Sequence, residues 1–273
     1  MAPLDPAGTA LLEHPLITGT LFYPRRLAPG EVPESAEGRA LAIPAGGDTL
    51  GAYHYHPHPG GPTVLFFHGN GEVMTDYLEG FESELSRLGL NFLVVDYRGY
   101  GLSTGSPSLP RLLEDANAAW DFAGGKLGLA PGEIIVMGRS LGSLAAMEIA
   151  SRHGGELQAL VIESGIGSFD RWIDRMLPFL SPQGLDVSKL RDALRAAFDH
   201  RTKMKAVTRP LLIMHTQHDE IVPVEQAHIL FGFGNPSLTT LHLFPRGGHN
   251  DIHYFNHAEY FHVLGEFLAR APA

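Results

Sequence analysis

Short, mainly apolar runs recur along the chain and are separated by polar or glycine-containing segments. Six such runs are expected to be core strands: residues 64–67, 92–95, 134–137, 160–162, 211–214 and 241–244. Runs of this length are typical of strands that are buried on both faces of a sheet. Apolar residues at helical spacing lie between several of them. This alternation predicts an α/β fold with a mostly parallel sheet and helices on both faces.

The beginning of the chain departs from this rhythm. Residues 39–44 and 49–56 flank the turn Gly46-Gly47-Asp48, which predicts an antiparallel hairpin. Residues 1–38 are rich in proline and glycine, so we expect an irregular N-terminal segment that wraps over the core. The remaining residues, 39–273, are assigned to one domain.

Residues 165–207 interrupt the alternation, because no strand signal appears there. Apolar residues at three- and four-residue steps predict a helix with one apolar face: Ile166, Phe169, Trp172, Ile173, Met176, Leu177 and Leu180. Pro178 and the segment Pro182-Gln183-Gly184 should break this helix, and residues 190–198 indicate a second short helix. We expect a small helical cap insertion in which Trp172 and Met176 line a substrate pocket. The alternative is that this apolar face packs on the sheet.

One segment has a serine between two glycines, Gly138-Arg139-Ser140-Leu141-Gly142. A predicted strand precedes it, and the small and apolar residues 143–151 that follow it predict a helix. A serine at such a strand-to-helix turn forms a nucleophile elbow, in which strained backbone exposes the hydroxyl. Ser140 is therefore the candidate nucleophile.

A serine hydroxyl needs a base, and the base needs a carboxylate that fixes its tautomer. Among fifteen histidines, His249 is the best candidate, because it lies in a glycine-rich loop after the last predicted strand. Asp219 follows the strand at 211–214 and completes the order Ser, Asp, His that is typical of this architecture. Glu163, at the end of another predicted strand, is the rival acid.

Two neighbouring acidic residues are assigned lesser roles. Glu220 is adjacent to Asp219 but is expected to point elsewhere, and Asp251 is expected to support the histidine loop.

Acyl transfer also requires backbone N–H donors where negative charge develops on the carbonyl oxygen. One donor is expected from Leu141, directly after the nucleophile. The other is expected at Asn70, in the loop His68-Gly69-Asn70-Gly71 that follows the strand at 64–67.

Composition restricts the partners of this 273-residue chain. Thirty acidic and twenty basic residues give a formal charge of −10, which argues against nucleic acid and anionic membranes as partners. The chain has no cysteine, so thiolate catalysis and disulfides are ruled out. No apolar stretch is long enough to cross a membrane, and the start of the chain does not read as a secretory signal. We therefore expect a cytoplasmic protein.

Several motifs together resemble those of the α/β-hydrolase superfamily. They are the His68-Gly69-Asn70-Gly71 loop, the turn at 96–105 with Arg98-Gly99-Tyr100-Gly101, the elbow, the Asp219 segment and Gly248-His249-Asn250-Asp251. More narrowly, the chain resembles bacterial relatives of the eukaryotic α/β-hydrolase-domain depalmitoylases over residues 40–270. The resemblance implies the fold and the Ser-His-Asp triad and only suggests a substrate. Thr216 departs from the usual glycine, and the cysteines that are palmitoylated in the eukaryotic branch are missing.

Other polar residues have ordinary interpretations. His54, His56 and His58 would share one face of a strand, but interleaved prolines and the lack of a nearby carboxylate argue against a metal site. Arg98 could contact substrate, although pairing with carboxylates that hold its turn together is favoured.

The sequence thus predicts a serine hydrolase for a small-molecule carboxylic ester or thioester, with no cofactor or metal. A serine peptidase or amidase would use the same triad, and a non-catalytic binding protein on this scaffold is the other alternative. The oligomeric state and the acyl chain are left open.

Overall fold

The computed structural model describes residues 5–271 and contains one eight-stranded sheet with the order β1-β2-β4-β3-β5-β6-β7-β8. The strands are β1 (Gly38–Ala45), β2 (Asp48–Tyr55), β3 (Thr63–Phe67), β4 (Asn91–Val95), β5 (Ile134–Arg139), β6 (Ala159–Glu163), β7 (Leu211–Thr216) and β8 (Thr239–Phe244). The pairs β1–β2 and β2–β4 are antiparallel, and all others are parallel. The predicted hairpin, the six core strands and the mostly parallel sheet are confirmed.

Helices cover both faces of the sheet. They are α1 (Pro6–Leu12), α2 (Pro15–Leu21), α3 (Phe81–Arg87), α4 (Leu109–Gly125), α5 (Gly142–His153), α6 (Asp170–Leu180), α7 (Val187–Ala197), α8 (His200–Lys205), α9 (Glu225–Phe233), α10 (Ile252–Phe255) and α11 (His257–Arg270). Two apolar clusters lie on opposite faces of the sheet, and every residue of β3, β4 and β6 is buried between them. Within the described residues, none of these helices combines the length and the apolar character that a membrane span requires.

The prediction of an irregular N-terminal segment is wrong for residues 6–21, which form α1 and α2. Pro6 and Pro15 are the first residues of these helices, where the missing N–H of proline costs nothing. The residues before them, Asp5 and His14, accept hydrogen bonds from backbone N–H groups of the first turn. The prolines that indicated irregular chain therefore begin helices.

Residues 165–207 hold α6, the expected second helix α7, and an additional helix, α8. The prediction that Pro178 breaks the first helix is wrong, because α6 continues to Leu180. Pro178 lies near the end of α6 and is exposed, so water can reach the carbonyl that loses its helical N–H partner. The chain reverses at Gly184, whose φ is 81°.

Candidate active site

The turn between β5 and α5 has the geometry of a nucleophile elbow. Ser140 has a φ of 50°, a left-handed conformation that costs an L-residue energy. The flanking glycines leave room for the neighbouring backbone. A Cβ on Gly142 would lie 2.0 Å from the Phe67 carbonyl oxygen, and a Cβ on Gly138 would lie 2.4 Å from the Gly142 carbonyl oxygen. The tight approach of α5 to β5 and β3 thus depends on glycine at both positions.

The structure brings together the three side chains that the sequence indicated. The Nε2 atom of His249 lies 2.8 Å from Ser140 Oγ, and its Nδ1 atom lies 2.7 Å from Asp219 Oδ2. All three residues are buried although they lie on three different loops of the sheet. The hydroxyl and the carboxylate are therefore each within hydrogen-bonding distance of the imidazole, as a nucleophile, a base and an orienting acid would require.

Asp219 is held as a carboxylate. Its Oδ1 atom accepts the backbone N–H groups of Ile221 and Val222 at 3.0 and 2.7 Å. Burial alone would raise the pKa of Asp219, but hydrogen bonds with His215 and His249 hold that pKa well below its ordinary value. The acid therefore stays charged at neutral pH and can orient the imidazole.

Thr216, the departure from the family pattern, connects the acid and histidine loops. Its hydroxyl donates to the Gly247 carbonyl at 2.6 Å and accepts the His218 N–H at 3.2 Å. The usual glycine at this position has no hydroxyl and could form neither of these hydrogen bonds.

The other acidic residues contact different partners. Glu163, the rival acid, bonds Arg139 Nε at 2.9 Å and the Tyr260 hydroxyl, and it makes no contact with the His249 ring. Asp251 accepts the Gly248 N–H at 2.5 Å, as expected of a loop support. The prediction that Glu220 points away is wrong, because its Oε2 lies 3.3 Å from the His249 backbone nitrogen. Glu220 also borders the cavity beside Ser140.

The two residues whose amides are expected to bind an oxyanion border the same cavity as Ser140. Asn70, Leu141 and Ser140 line one cavity, and Leu141 precedes the first residue of α5, where the positive end of the helix dipole lies. Across residues 5–271, neither the Asn70 nor the Leu141 backbone N–H has an acceptor within the protein. Both groups are thus available to a substrate oxygen.

The cavity beside Ser140 has a volume of about 390 Å³ and is mainly apolar. Trp172 of α6 lines it, as expected, together with Leu21, Ile166, Phe169 and Val222. Met176 does not; it packs against the core. The residues of α6 that line the cavity are Arg171, Trp172 and Arg175, and Met176, which directly follows Arg175, lies outside the face that these three share.

Sequence reasoning missed the contribution of the N-terminal segment. Thr20, Leu21 and Tyr23 border the cavity. The Asn70 side chain donates to the Leu21 carbonyl at 2.8 Å and accepts the Tyr23 N–H at 2.9 Å. The segment therefore holds the loop that carries the Asn70 amide, and no local pattern in residues 1–38 indicates this long-range contact.

Arg98 and two of the three alternating histidines contact neighbours outside the candidate site. Arg98 pairs with Asp48, Glu114 and Asp115, as the favoured alternative predicted. The rings of His54 and His56 stack with centroids 5.1 Å apart, and burial lowers the pKa of His54 to about 4. No group of three or more potential ligand side chains in residues 5–271 is arranged to hold a metal ion.

Comparison with known proteins gives the family. A family model described as serine aminopeptidase S33 matches residues 61–181. Protein bem46 of Schizosaccharomyces pombe is 31% identical over 208 residues, which cover 76% of this chain and 67% of that protein. Alpha/beta hydrolase domain-containing protein 17C of Xenopus tropicalis is 31% identical over 229 residues, or 82% of this chain and 67% of that protein. The chain belongs to the α/β-hydrolase family.

A solved α/β-hydrolase structure shows the same architecture. An esterase of Pyrococcus furiosus matches with a TM-score of 0.71 and covers 93% of this chain and 98% of its own. Its sequence identity is 20%, so the likeness extends to the fold.

Proposed function

We propose that this α/β-hydrolase cleaves a carboxylic ester or thioester through an acyl-enzyme on Ser140. The observation that carries the proposal is the continuous relay from Asp219 through His249 to Ser140, with contacts of 2.7 and 2.8 Å. The esterase activity in the name of the Pyrococcus furiosus neighbour agrees with this reaction.

In the first half-reaction, His249 Nε2 takes the proton of Ser140 as Oγ attacks the carbonyl carbon of the substrate. The carbonyl oxygen becomes an oxyanion that accepts the amides of Asn70 and Leu141. When the tetrahedral intermediate collapses, the protonated His249 gives its proton to the departing alcohol or thiol. An ester between the acyl group and Ser140 remains.

In the second half-reaction, water replaces the departed alcohol or thiol. His249 takes a proton from this water as the water oxygen attacks the acyl carbon. Collapse of the second intermediate returns the proton to Ser140 and releases the acid. Asp219 keeps its negative charge throughout and stabilises the imidazolium that forms twice in the cycle.

The apolar lining of the cavity fits the acyl group of the substrate. Trp172, Phe169 and Ile166 offer apolar surface in the cavity that Ser140 lines, and the charged residues of the lining are Glu220, Arg171 and Arg175. A ligand pocket of this type is mostly apolar, with a few polar groups that fix orientation.

The test combines an active-site label with a substrate series. A fluorophosphonate should label one serine per chain in the wild type and none in Ser140→Ala. The substrates are p-nitrophenyl esters of graded chain length, together with acyl-CoA thioesters. Labelling that persists in Ser140→Ala would refute the assignment of the nucleophile, and a wild type that neither labels nor turns over would favour a binding protein.

A serine aminopeptidase is the second candidate. The description of the matching family model favours it, and Glu220 places a carboxylate at the cavity where the free ammonium of a peptide substrate could bind. Aminoacyl anilides discriminate the two, because an aminopeptidase should prefer them to esters of the same acid. Glu220→Gln should then reduce anilide hydrolysis but leave the hydrolysis of uncharged esters nearly unchanged.

A further inference from the structure

Arg139, the residue before the nucleophile, is almost fully buried, with its side chain 4% exposed. Its Nε donates to Glu163 at 2.9 Å, and its Nη2 donates to the His249 backbone carbonyl at 2.7 Å. A third contact joins Nη1 to Glu72. One guanidinium thus connects the elbow to the end of β6 and to the loop that carries the candidate base.

Glu72 extends these contacts to the loop at 68–71. Its Oε2 accepts the Gly69 N–H at 2.6 Å and the Tyr77 hydroxyl at 2.5 Å. Gly69 directly precedes Asn70, whose amide is a candidate oxyanion donor. The same guanidinium is therefore connected to the base on one side and to the oxyanion loop on the other.

The sheet does not need this cluster in order to form. β5 already pairs through its backbone with β3 and β6, and the Ser140 N–H donates to the Glu163 carbonyl at 2.9 Å. Removing charges from water is costly, so a buried ion pair is weak evidence of net stabilisation. Burial would lower the pKa of Arg139, but the surrounding acidic groups raise it above its ordinary value, so the cation is permanent.

We infer that Arg139 is a positioning residue, which fixes the backbone of the His249 loop and, through Glu72, the Asn70 loop relative to Ser140. A guanidinium presents its N–H donors in a rigid planar fork, whereas a lysine ammonium carries rotatable donors on a flexible stem and would hold the three acceptors less firmly. The inference rests on the proposed function, because it concerns the geometry of that reaction.

The test measures two quantities in wild type, Arg139→Met and Arg139→Lys. The first is the rate at which a fluorophosphonate labels Ser140, and the second is kcat and KM for a p-nitrophenyl ester. A misplacement of about 1 Å can cost on the order of 10²-fold in rate, so we expect Arg139→Met to label and turn over about 10²-fold more slowly. KM should change less than about threefold, since the cavity lining is intact, and Arg139→Lys should lose about tenfold.

Arg98→Met is the matched control. It removes an equally buried arginine from a carboxylate cluster whose partners lie outside the candidate site. Its labelling rate should stay within about threefold of the wild type, measured well below the melting temperature of each variant. Near-wild-type labelling by Arg139→Met, or equal slowing by Arg98→Met, would overturn the inference.

Two further variants cover other outcomes. If Arg139→Met does not fold, Arg139→Lys and Glu72→Gln replace it, and wild-type labelling rates in both would overturn the inference. If the wild type labels at Ser140 but hydrolyses no ester, the proposed substrate class fails, while the labelling comparison still tests Arg139. If the wild type does not label at all, both proposals fail.

Discussion

Arg98 and Arg139 are two equally buried arginines whose partners lie in different parts of the molecule. Each is only 3% exposed, and each has carboxylate and backbone carbonyl partners. The partners of Arg98 lie on the β1–β2 hairpin and on α4: Asp48, the Ala45 carbonyl, Glu114 and Asp115. Those of Arg139 lie on the loops that follow β3 and β8 and at the end of β6.

This difference separates two uses of the same chemistry. Around Arg98 the ion pairs join elements that have no polar contact with Ser140, so their loss should change stability and leave the reaction alone. Around Arg139 they join segments that carry the proposed nucleophile, the proposed base and a proposed oxyanion donor. Both arginines are equally buried and both are paired with carboxylates, so the identity of the connected segments indicates which arginine concerns the reaction.

The largest expected effect is on kcat, and it distinguishes Asp219, which contacts His249, from Glu163, which contacts Arg139. Asp219→Asn should lower kcat by about 10⁴, because the amide favours the wrong imidazole tautomer. Glu163→Gln should have a much smaller effect, since it contacts Arg139 and Tyr260 and not the imidazole. Steady-state kinetics on a p-nitrophenyl ester measures both. A crippled Glu163→Gln beside an active Asp219→Asn would assign the acid to Glu163.

The next effect is on stability. Arg98→Met leaves the carboxylate of Asp115, which is 1% exposed, without its cation, and breaking a buried pair in this way costs about 3–5 kcal/mol. Urea unfolding at pH 8 should show this loss, while kcat per folded molecule stays near that of wild type. A large fall in kcat would place Arg98 in the machinery of the reaction and remove the contrast between the two arginines.

The loss of stability in Arg98→Met should depend on pH through the carboxyl group of Asp115. Burial raises the pKa of Asp115 to about 7 although Arg98 lowers it, and the pKa in the unfolded chain is near 3.8. Between these values the folded state binds more protons, so stability falls as the pH rises through this window. At pH 5 the carboxyl can be protonated, and Arg98→Met should cost less than at pH 8. An equal or greater loss at pH 5 would show that the charge of Asp115 is not the cause.

A smaller effect concerns selectivity in the cavity. Trp172→Ala should change the ratio of kcat/KM between long-chain and short-chain esters by about 10- to 200-fold, because it removes apolar contact at the cavity lining. Met176→Ala is the control, since Met176 packs on the core and should mainly lower the melting temperature. The p-nitrophenyl ester series measures both. Unchanged profiles in Trp172→Ala would mean that the acyl group binds elsewhere.

Features with a strong local signal could be predicted from the sequence. The apolar runs at 64–67 and 134–137 are typical of buried strands. The elbow at Ser140 can be recognised from the strand before it and the helix after it, without knowledge of any distant contact. Asp219 and His249 could be placed because parallel strands end at one edge of the sheet, where their loops converge.

Features that depend on distant partners could not be predicted. The bonds between Asn70 and residues 21–23 join parts of the chain about fifty positions apart, and neither part shows a pattern that requires the other. Arg139 stood within the recognised motif, but its partners Glu72 and Glu163 are known only from the folded chain. Met176 follows the apolar periodicity of α6, but the face of α6 that borders the cavity holds Arg171, Trp172 and Arg175, and two of these three residues are charged.

The smallest effect concerns the backbone of the nucleophile. Ser140→Gly should raise the free energy of unfolding by up to about 1 kcal/mol, because glycine adopts a φ of 50° without the penalty of a Cβ. Thermal unfolding measures it, with Ser143→Gly as a control that should destabilise, since it removes a buried hydroxyl that donates to the Ser140 carbonyl at 2.6 Å and accepts the Ile166 N–H at 3.0 Å. A lower melting temperature for Ser140→Gly would mean that the turn is not strained.

This turn also limits how the protein can be adapted to heat. A screen that rewards melting temperature alone would accept glycine at position 140, and this change deletes the hydroxyl of the proposed nucleophile. Heat-resistant descendants that still turn over substrate must therefore gain their resistance elsewhere, in loops and surface positions that do not shape the elbow. A thermophilic version of this chain should keep serine at position 140. Among heat-stable variants, that serine would then distinguish the active proteins from the inactive ones.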